Sequence, residues 1–258
     1  MLEPKYIVKF GEKLPEEAIA IHGEESLNVS EFFFDTIQGE GLGLGQPAAF
    51  LRLAGCTVGC KFCDTVEVWS KSNKVKISWL VDQIFSSGLN WRFRDGEMLV
   101  VTGGSPLLQQ DNLIRFFRAL EDALSDEQFP YVEIENECVF APKEELAEYV
   151  NWWNNSPKLS NSQVPENRRY NPKALAAMKD LPCTFKFVVK DEEDWEEIQE
   201  KYIDPGYVTR DQIVLMPMGA TQKEYIKNRE GVVEIAVKHG VRYSPREHIA
   251  IWDKKTGI

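Results

Sequence analysis

Short apolar runs alternate with segments of helical periodicity along this chain, and turn-forming residues separate one from the next. The runs AAFLRLAG (48 to 55), EMLVV (97 to 101), YVEIE (131 to 135), TFKFVV (184 to 189) and QIVLM (212 to 216) predict buried strands. SWLVDQIFSSG (78 to 88), QDNLIRFFRALEDAL (110 to 124), KEELAEYV (143 to 150), EDWEEIQEKY (193 to 202) and TQKEYIKNREGVVEIAVKHG (221 to 240) predict helices. Ser78 is a candidate N-cap for the first of these, and Thr221 with Glu224 has capping-box spacing at the start of the last. This alternation predicts an α/β fold of parallel βα units, in a full or partial barrel or a doubly wound sheet. Either architecture gathers ligands at the carboxyl ends of its strands. The cysteine-rich loop after Gly55, the Thr102 turn, Glu135, Ser156 and the segment from Met216 to Gly219 would converge there. Residues 1–30 are expected as an N-terminal extension on a core of about residues 31–252, the whole of 1–258 forming a single domain. The polar stretch 154–173, rich in Pro and Asn, predicts an extended surface loop inserted into that domain.

Composition narrows the function. The chain has 258 residues, 43% of them hydrophobic, enough to bury a sizeable core. A net charge of −11 disfavours a nucleic-acid partner. No apolar run approaches the roughly 20 residues that cross a bilayer, and the first residues lack the basic-then-apolar order of a secretory signal, so a cytoplasmic protein without membrane partners is expected. The cysteine count is five, with three crowded into the loop, which fits metal ligation better than a secreted disulfide framework.

Cys56, Cys60 and Cys63 form CxxxCxxC, with Gly55 and Gly59 giving the chain freedom to wrap three thiolates around one centre. Zinc normally closes with four ligands, and His22, His239 and His248 all lie far away in sequence, so zinc is the less economical occupant. A 4Fe-4S cluster held by three thiolates leaves one iron open to an exogenous ligand. Burial as small hydrophobes is the remaining alternative. The glycines at 39 to 45 do not make a dinucleotide fingerprint, because Leu44 occupies the third glycine position and a strand follows instead of a helix.

CxxxCxxC with Phe62 just before the last cysteine resembles the radical S-adenosylmethionine (SAM) signature. The resemblance implies a partial (β/α) barrel, SAM chelated at the open iron and its cleavage to a 5′-deoxyadenosyl radical. The Gly103-Gly104 turn looks like the superfamily's GGEP motif, which contacts the SAM methionine. The motif's acid is Ser105 here. A serine hydroxyl hydrogen-bonds an ammonium group without neutralising it, so SAM is expected to be held either more weakly or with help from another acid such as Glu135.

IQGEG (37 to 41), FLRLAGC (50 to 56), FCDT (62 to 65), TGGxP (102 to 106), SPK (156 to 158) and LMPMG (215 to 219) occur together and in order. Together they resemble the 7-carboxy-7-deazaguanine synthase family. The resemblance implies a lyase that converts 6-carboxy-5,6,7,8-tetrahydropterin to 7-carboxy-7-deazaguanine with loss of ammonia, on the way to queuosine-type deazapurines. It implies that Ile37, Gln38, Gly39, Arg52 and Thr102 touch the substrate. Phe62, Cys63, Asp64, Gly104, Ser156, Pro157, Lys158, Met216, Pro217, Met218 and Gly219 would cradle SAM. Thr65 would offer its hydroxyl to a magnesium ion (Mg2+), a hard cation that prefers oxygen. A homodimer and an electron donor such as flavodoxin or ferredoxin are further implications. Two rival readings share the cysteine loop: a glycyl-radical activating enzyme acting on a partner protein, and a non-catalytic metal-binding module.

Overall fold

The computed structural model describes residues 3–63, 65–125 and 127–255. Its strands are β1 (Lys5–Val8), β2 (Ser26–Ile37), β3 (Pro47–Leu53), β4 (Asn73–Lys76), β5 (Met98–Gly103), β6 (Val132–Asn136), β7 (Trp152–Asn155), β8 (Cys183–Val189), β9 (Ile213–Pro217) and β10 (Arg242–Tyr243). They form one sheet in the order β1-β2-β3-β5-β6-β7-β8-β9-β10, with β4 paired to β2. From β3 to β10 each neighbour along that order is parallel, while β2 runs antiparallel to β1, β3 and β4. β1 and β10 stand at opposite ends of the order, so the architecture is a partial (β/α) barrel with an open sheet.

Helices supply the crossovers. Gln110–Leu124 joins β5 to β6, Glu144–Tyr149 joins β6 to β7, Pro172–Met178 precedes β8, Glu192–Ile198 precedes β9 and Gln222–His239 precedes β10. Leu113, Phe116, Phe117 and Leu120 recur at helical spacing on Gln110–Leu124 and all are buried. They meet the outer face of the sheet, where Phe32, Phe34, Leu51, Leu53, Val101, Ile134, Trp153, Phe185 and Phe187 complete the main core. Burying each large apolar side chain contributes about 1.5–3 kcal/mol.

The residues between these, at period two, point to the other face. Near the starts of β3 and β5 that inner face is apolar: Ala48, Phe50, Met98 and Val100 cluster with Phe33 of β2. Phe33 and Phe50 stack with ring centroids 5.4 Å apart. Towards the carboxyl ends the same face turns polar, through Arg52, Thr102, Glu133, Glu135, Asn154 and Lys186. Every residue of β8 is buried, so its lone lysine is committed to the barrel interior.

Several local expectations are corrected. The expected boundary at residue 30 falls inside β2, and Val8, Leu14, Ala18, Leu27 and Val29 belong to the main core. Residues 152–155 form β7, a strand that WWNN does not advertise because polar Asn154 and Asn155 are buried in it beside Trp153. The 154–173 stretch is not an extended surface loop. It carries a 3-10 turn at Ser160–Ser162 and a helical turn at Glu166–Arg169, pinned by buried Arg169, which bonds Glu197 Oε1 at 2.8 Å and the Lys158 and Val164 carbonyls. Ser78 does not cap its helix, which begins at Ile77. Thr221 does accept from the Glu224 amide, but Glu224 returns its bond to Ala220. Among the described residues no helix is long and apolar enough to cross a membrane.

Candidate active site

The loop leaving β3 is fixed by backbone bonds on both flanks. The Ala54 amide donates to Asn28 O at 2.9 Å, and the Gly104 and Ser105 amides donate to Leu53 O and Gly55 O at 3.2 and 2.8 Å. Gln109 bridges the same strands, accepting from the Asn28 amide and donating to the Asn28 and Ala54 carbonyls. The 154–173 segment braces the far side, where Lys61 N–H donates to Ser162 O at 3.1 Å and Arg168 to Thr57 O at 2.7 Å.

Only glycine fits beneath the loop. Gly103 has φ +122°, and a Cβ on Gly104 would lie 2.0 Å from Gly55 O and 2.9 Å from Cys56 Cβ. Substituting Gly104→Ala is therefore expected to push the Cys56 end of the loop outward. Iron retained after anaerobic reconstitution should fall at least about twofold while far-UV circular dichroism is unchanged. Wild-type iron content in this variant would show that the loop yields without cost.

Cys56, Cys60 and Cys63 are free thiols, partly exposed, and all three face one cavity. Cys56 Sγ accepts from the Gly59 amide at 3.4 Å, and Cys63 Sγ lies 3.7 Å from Thr65 Oγ1. Thr65 precedes the helical turn Val66–Trp69 without capping it and lines the cavity. Burial raises the Cys60 thiol, and the neighbouring cysteines add to that, against the opposing charge of Lys158. Bound cationic iron reverses such a bias and holds the sulfur as thiolate. Three half-open soft donors on one cavity, with a cation beside them, suit an iron-sulfur cluster that keeps one iron open. Cys138 and Cys183 instead belong to the main core, and burial pushes the Cys183 thiol up to about 12.

The cavity spans about 1450 Å³ of empty space, a figure that includes the open solvent at its mouth. Away from the cysteines its wall is charged. Lys186 Nζ lies 2.5 Å from Glu40 Oε2 and 3.3 Å from Glu135 Oε1, and Arg246 Nε lies 3.1 Å from Glu40 Oε1. Burial alone would raise Glu40, but Lys186, Arg246 and His248 outweigh it and hold that carboxyl well below its usual range. Burial likewise opposes the Lys186 charge, and Glu135 with Glu40 more than reverses this. Beneath them, Gln38 Nε2 and Asn154 Nδ2 donate to Glu133 Oε1 at 2.5 and 3.1 Å. Burial, then repulsion from Glu135, pushes the Glu133 carboxyl up to about 7. Thr102 Oγ1 donates to Glu135 Oε2 at 2.8 Å.

Arg52 stands across the cavity. Its Nε is 3.3 Å from Glu31 Oε2, and its guanidinium lies 5.6 and 5.7 Å from the Phe33 and Phe50 ring centroids. The carboxyl-terminal segment shuts this end. Gly41 N–H donates to Ser244 Oγ at 2.8 Å, Glu247 N–H to Gly39 O at 3.0 Å, and Arg246 bonds the Gly219 carbonyl. His248 lines the cavity, 3.6 Å from Glu40 Oε1.

Ile37, Gln38, Gly39, Arg52, Phe62, Thr65, Thr102, Gly104, Ser156, Lys158 and Met216 therefore line the same cavity as the three cysteines. Pro157, Pro217, Met218 and Gly219 are absent from that wall. Pro157 and Pro217 are buried, the Met218 amide donates to Val189 O at 2.9 Å, and Gly219 packs 2.7 Å, by its would-be Cβ, from the Tyr225 amide. Asp64 lies outside the described residues. Sequence reasoning missed Glu40, Glu137, Lys186 and Arg246. Lys186 carries a signal, a lysine in the middle of the apolar run TFKFVV, and Glu40 lies within IQGEG.

Residues 37–137 match the model of a 4Fe-4S single cluster domain, a span that contains all three loop cysteines. The chain is 34% identical to 7-carboxy-7-deazaguanine synthase of Pyrobaculum aerophilum over 225 residues, covering 87% of this chain and 94% of that protein. It is 30% identical to 7-carboxy-7-deazaguanine synthase of Halobacterium salinarum over 251 residues, covering 88% and 91%. The crystal structure of QueE from Escherichia coli shares the fold, with a TM-score of 0.63 at 24% identity over 88% of this chain and 96% of that one. On this ground the chain belongs to the 7-carboxy-7-deazaguanine synthase family of radical SAM enzymes.

Proposed function

We propose that this chain converts 6-carboxy-5,6,7,8-tetrahydropterin to 7-carboxy-7-deazaguanine with release of ammonia. The observation that carries the reading is one cavity with three cluster-type cysteines at one end and the buried Glu40–Lys186–Glu135 network at the other. The cluster and SAM, when bound, supply one-electron chemistry that takes a hydrogen from C6 of the substrate and gives it back. The chain's residues do the rest by binding and exclusion.

Arg52, backed by Glu31 and two aromatic rings, offers a fixed cation to the substrate carboxylate. Thr65 offers an oxygen to Mg2+ close to Cys63. Glu135, held by Thr102 and Lys186, presents a carboxylate edge suited to the donor N–H groups of a pterin ring, and Gln38 lines the same wall. The segment 244–252 keeps bulk water out of this end. A homodimer, an electron donor such as flavodoxin or ferredoxin, and a cytoplasmic location complete the proposal, on family resemblance.

Anaerobically reconstituted protein given SAM, a one-electron reductant, Mg2+ and carboxytetrahydropterin is expected to yield 7-carboxy-7-deazaguanine and equimolar ammonia, read by mass spectrometry. Omitting Mg2+ should slow turnover several-fold. Deoxyadenosine without any deazaguanine product would sink the pterin assignment.

A further inference from the structure

Position 105 is Ser where the motif it resembles has an acid, and an acid, Glu137, stands directly after the neighbouring strand β6. Ser105 Oγ accepts from the Thr57 amide at 3.0 Å, and the two hydroxyls are also 3.0 Å apart. The Thr57 hydroxyl donates to Glu137 Oε1, again at 3.0 Å. A hydroxyl has one proton to give, so the contact between the two hydroxyls is donated by Ser105. A continuous hydrogen-bonded chain thus runs from Ser105 through Thr57 to Glu137.

Glu137 follows β6 directly, is 5% exposed and lines the cysteine cavity. Its second oxygen, Oε2, is buried with no hydrogen-bond partner among the described residues. Buried carboxylate oxygens are rarely left so, and this one borders a cavity that takes a cationic ligand. Glu135, the acid named as a possible helper, already has Oε2 on Thr102 and Oε1 on Lys186, and the reading above gives its remaining edge to the substrate. Lys158, on the same wall, donates to Ser156 Oγ at 2.7 Å.

We propose that Glu137 Oε2 is the carboxylate oxygen that pairs with the α-ammonium of SAM, with Ser105 and Thr57 as positioning residues that orient it. This rests on the SAM-dependent reading above. The carboxylate has moved from the turn after β5 to the end of β6 while facing the same space.

The test uses the full chain, reconstituted anaerobically, with SAM binding read from the change it causes in the electron paramagnetic resonance spectrum of the reduced cluster. Glu137→Gln is expected to keep its iron and sulfide and to bind SAM about 10- to 100-fold more weakly, the loss of one hydrogen bond to a charged group. The exchange variant Ser105→Glu/Glu137→Ser is expected to bind SAM within a few-fold of wild type. Equal affinity in Glu137→Gln would overturn the assignment, as would an exchange variant no better than Glu137→Gln. Failure of both variants to retain iron would also overturn it, by making Glu137 a support of the loop. A wild-type cluster whose spectrum ignores SAM would instead remove the underlying cofactor reading, with no variant involved.

Discussion

Cys56→Ala is expected to lower bound iron and labile sulfide after anaerobic reconstitution from about four of each per chain to near background, and to cut deoxyadenosine formation by about a thousandfold or more. With one of three thiolates gone, the cluster would have two protein ligands and two exposed irons, too few to hold it against loss. The loop itself should survive. Its path is set by backbone bonds from Ala54, Gly104 and Ser105 and by the brace from Ser162 and Arg168, whereas the bond that Cys56 Sγ accepts among the described residues is a 3.4 Å one from Gly59. Cys183→Ala supplies the contrast. That thiol donates to Met178 O at 3.3 Å within the core, so its loss should cost about 1 kcal/mol in stability and leave iron untouched. A Cys56→Ala chain that retained wild-type iron and sulfide would dismiss the assigned ligand set.

Lys186→Met is expected to destabilise the fold by about 3–5 kcal/mol, measured as a lower midpoint in urea with an unchanged m-value. The lysine is 3% exposed and holds two carboxylates, Glu40 at 2.5 Å and Glu135 at 3.3 Å, above a third, Glu133. Methionine fills the volume but leaves these carboxylates without their central cation. Glu40 keeps Arg246, so the main cost falls between Glu135 and Glu133, a carboxyl raised first by burial and then by repulsion from Glu135. Adding Glu135→Gln to Lys186→Met should therefore recover part of the loss, with a coupling of about 1 kcal/mol or more. A single variant within about 1 kcal/mol of wild type would mean that these carboxylates are satisfied without the lysine.

Much of this molecule could be read before it was seen, and the residues explain where reading stops. Strands such as QIVLM and helices such as Gln110–Leu124 are legible because both faces of a parallel strand, and one face of a helix, must be apolar. The cysteine loop is legible because ligand spacing is local in sequence. β7 is not, since its buried Asn154 and Asn155 are tolerated only by partners on β6: Asn154 donates to Glu133 and Asn155 accepts from Asn136. Glu137 is not legible for the same reason. Its meaning depends on Thr57 and Ser105, brought to it by the parallel register of β3, β5 and β6. The 154–173 stretch looks like surface because its composition is polar, yet Arg169 is buried by a bond to Glu197 that no local pattern announces. Pairing across the sheet decides these cases, and pairing is what a single sequence shows least.

The bonds that tie residues 244–247 to residues 39–41 span 203 positions for Gly41 to Ser244 and 206 for Glu40 to Arg246. Contacts so distant in sequence form late, because the intervening chain must first be ordered. During synthesis, the loop of Cys56, Cys60 and Cys63 emerges long before the segment that closes the opposite wall. Cluster insertion and pocket closure are thus separable in time, and a chain caught between them would carry its iron in an open trough, with Glu40 and Lys186 wet and the substrate end not yet built.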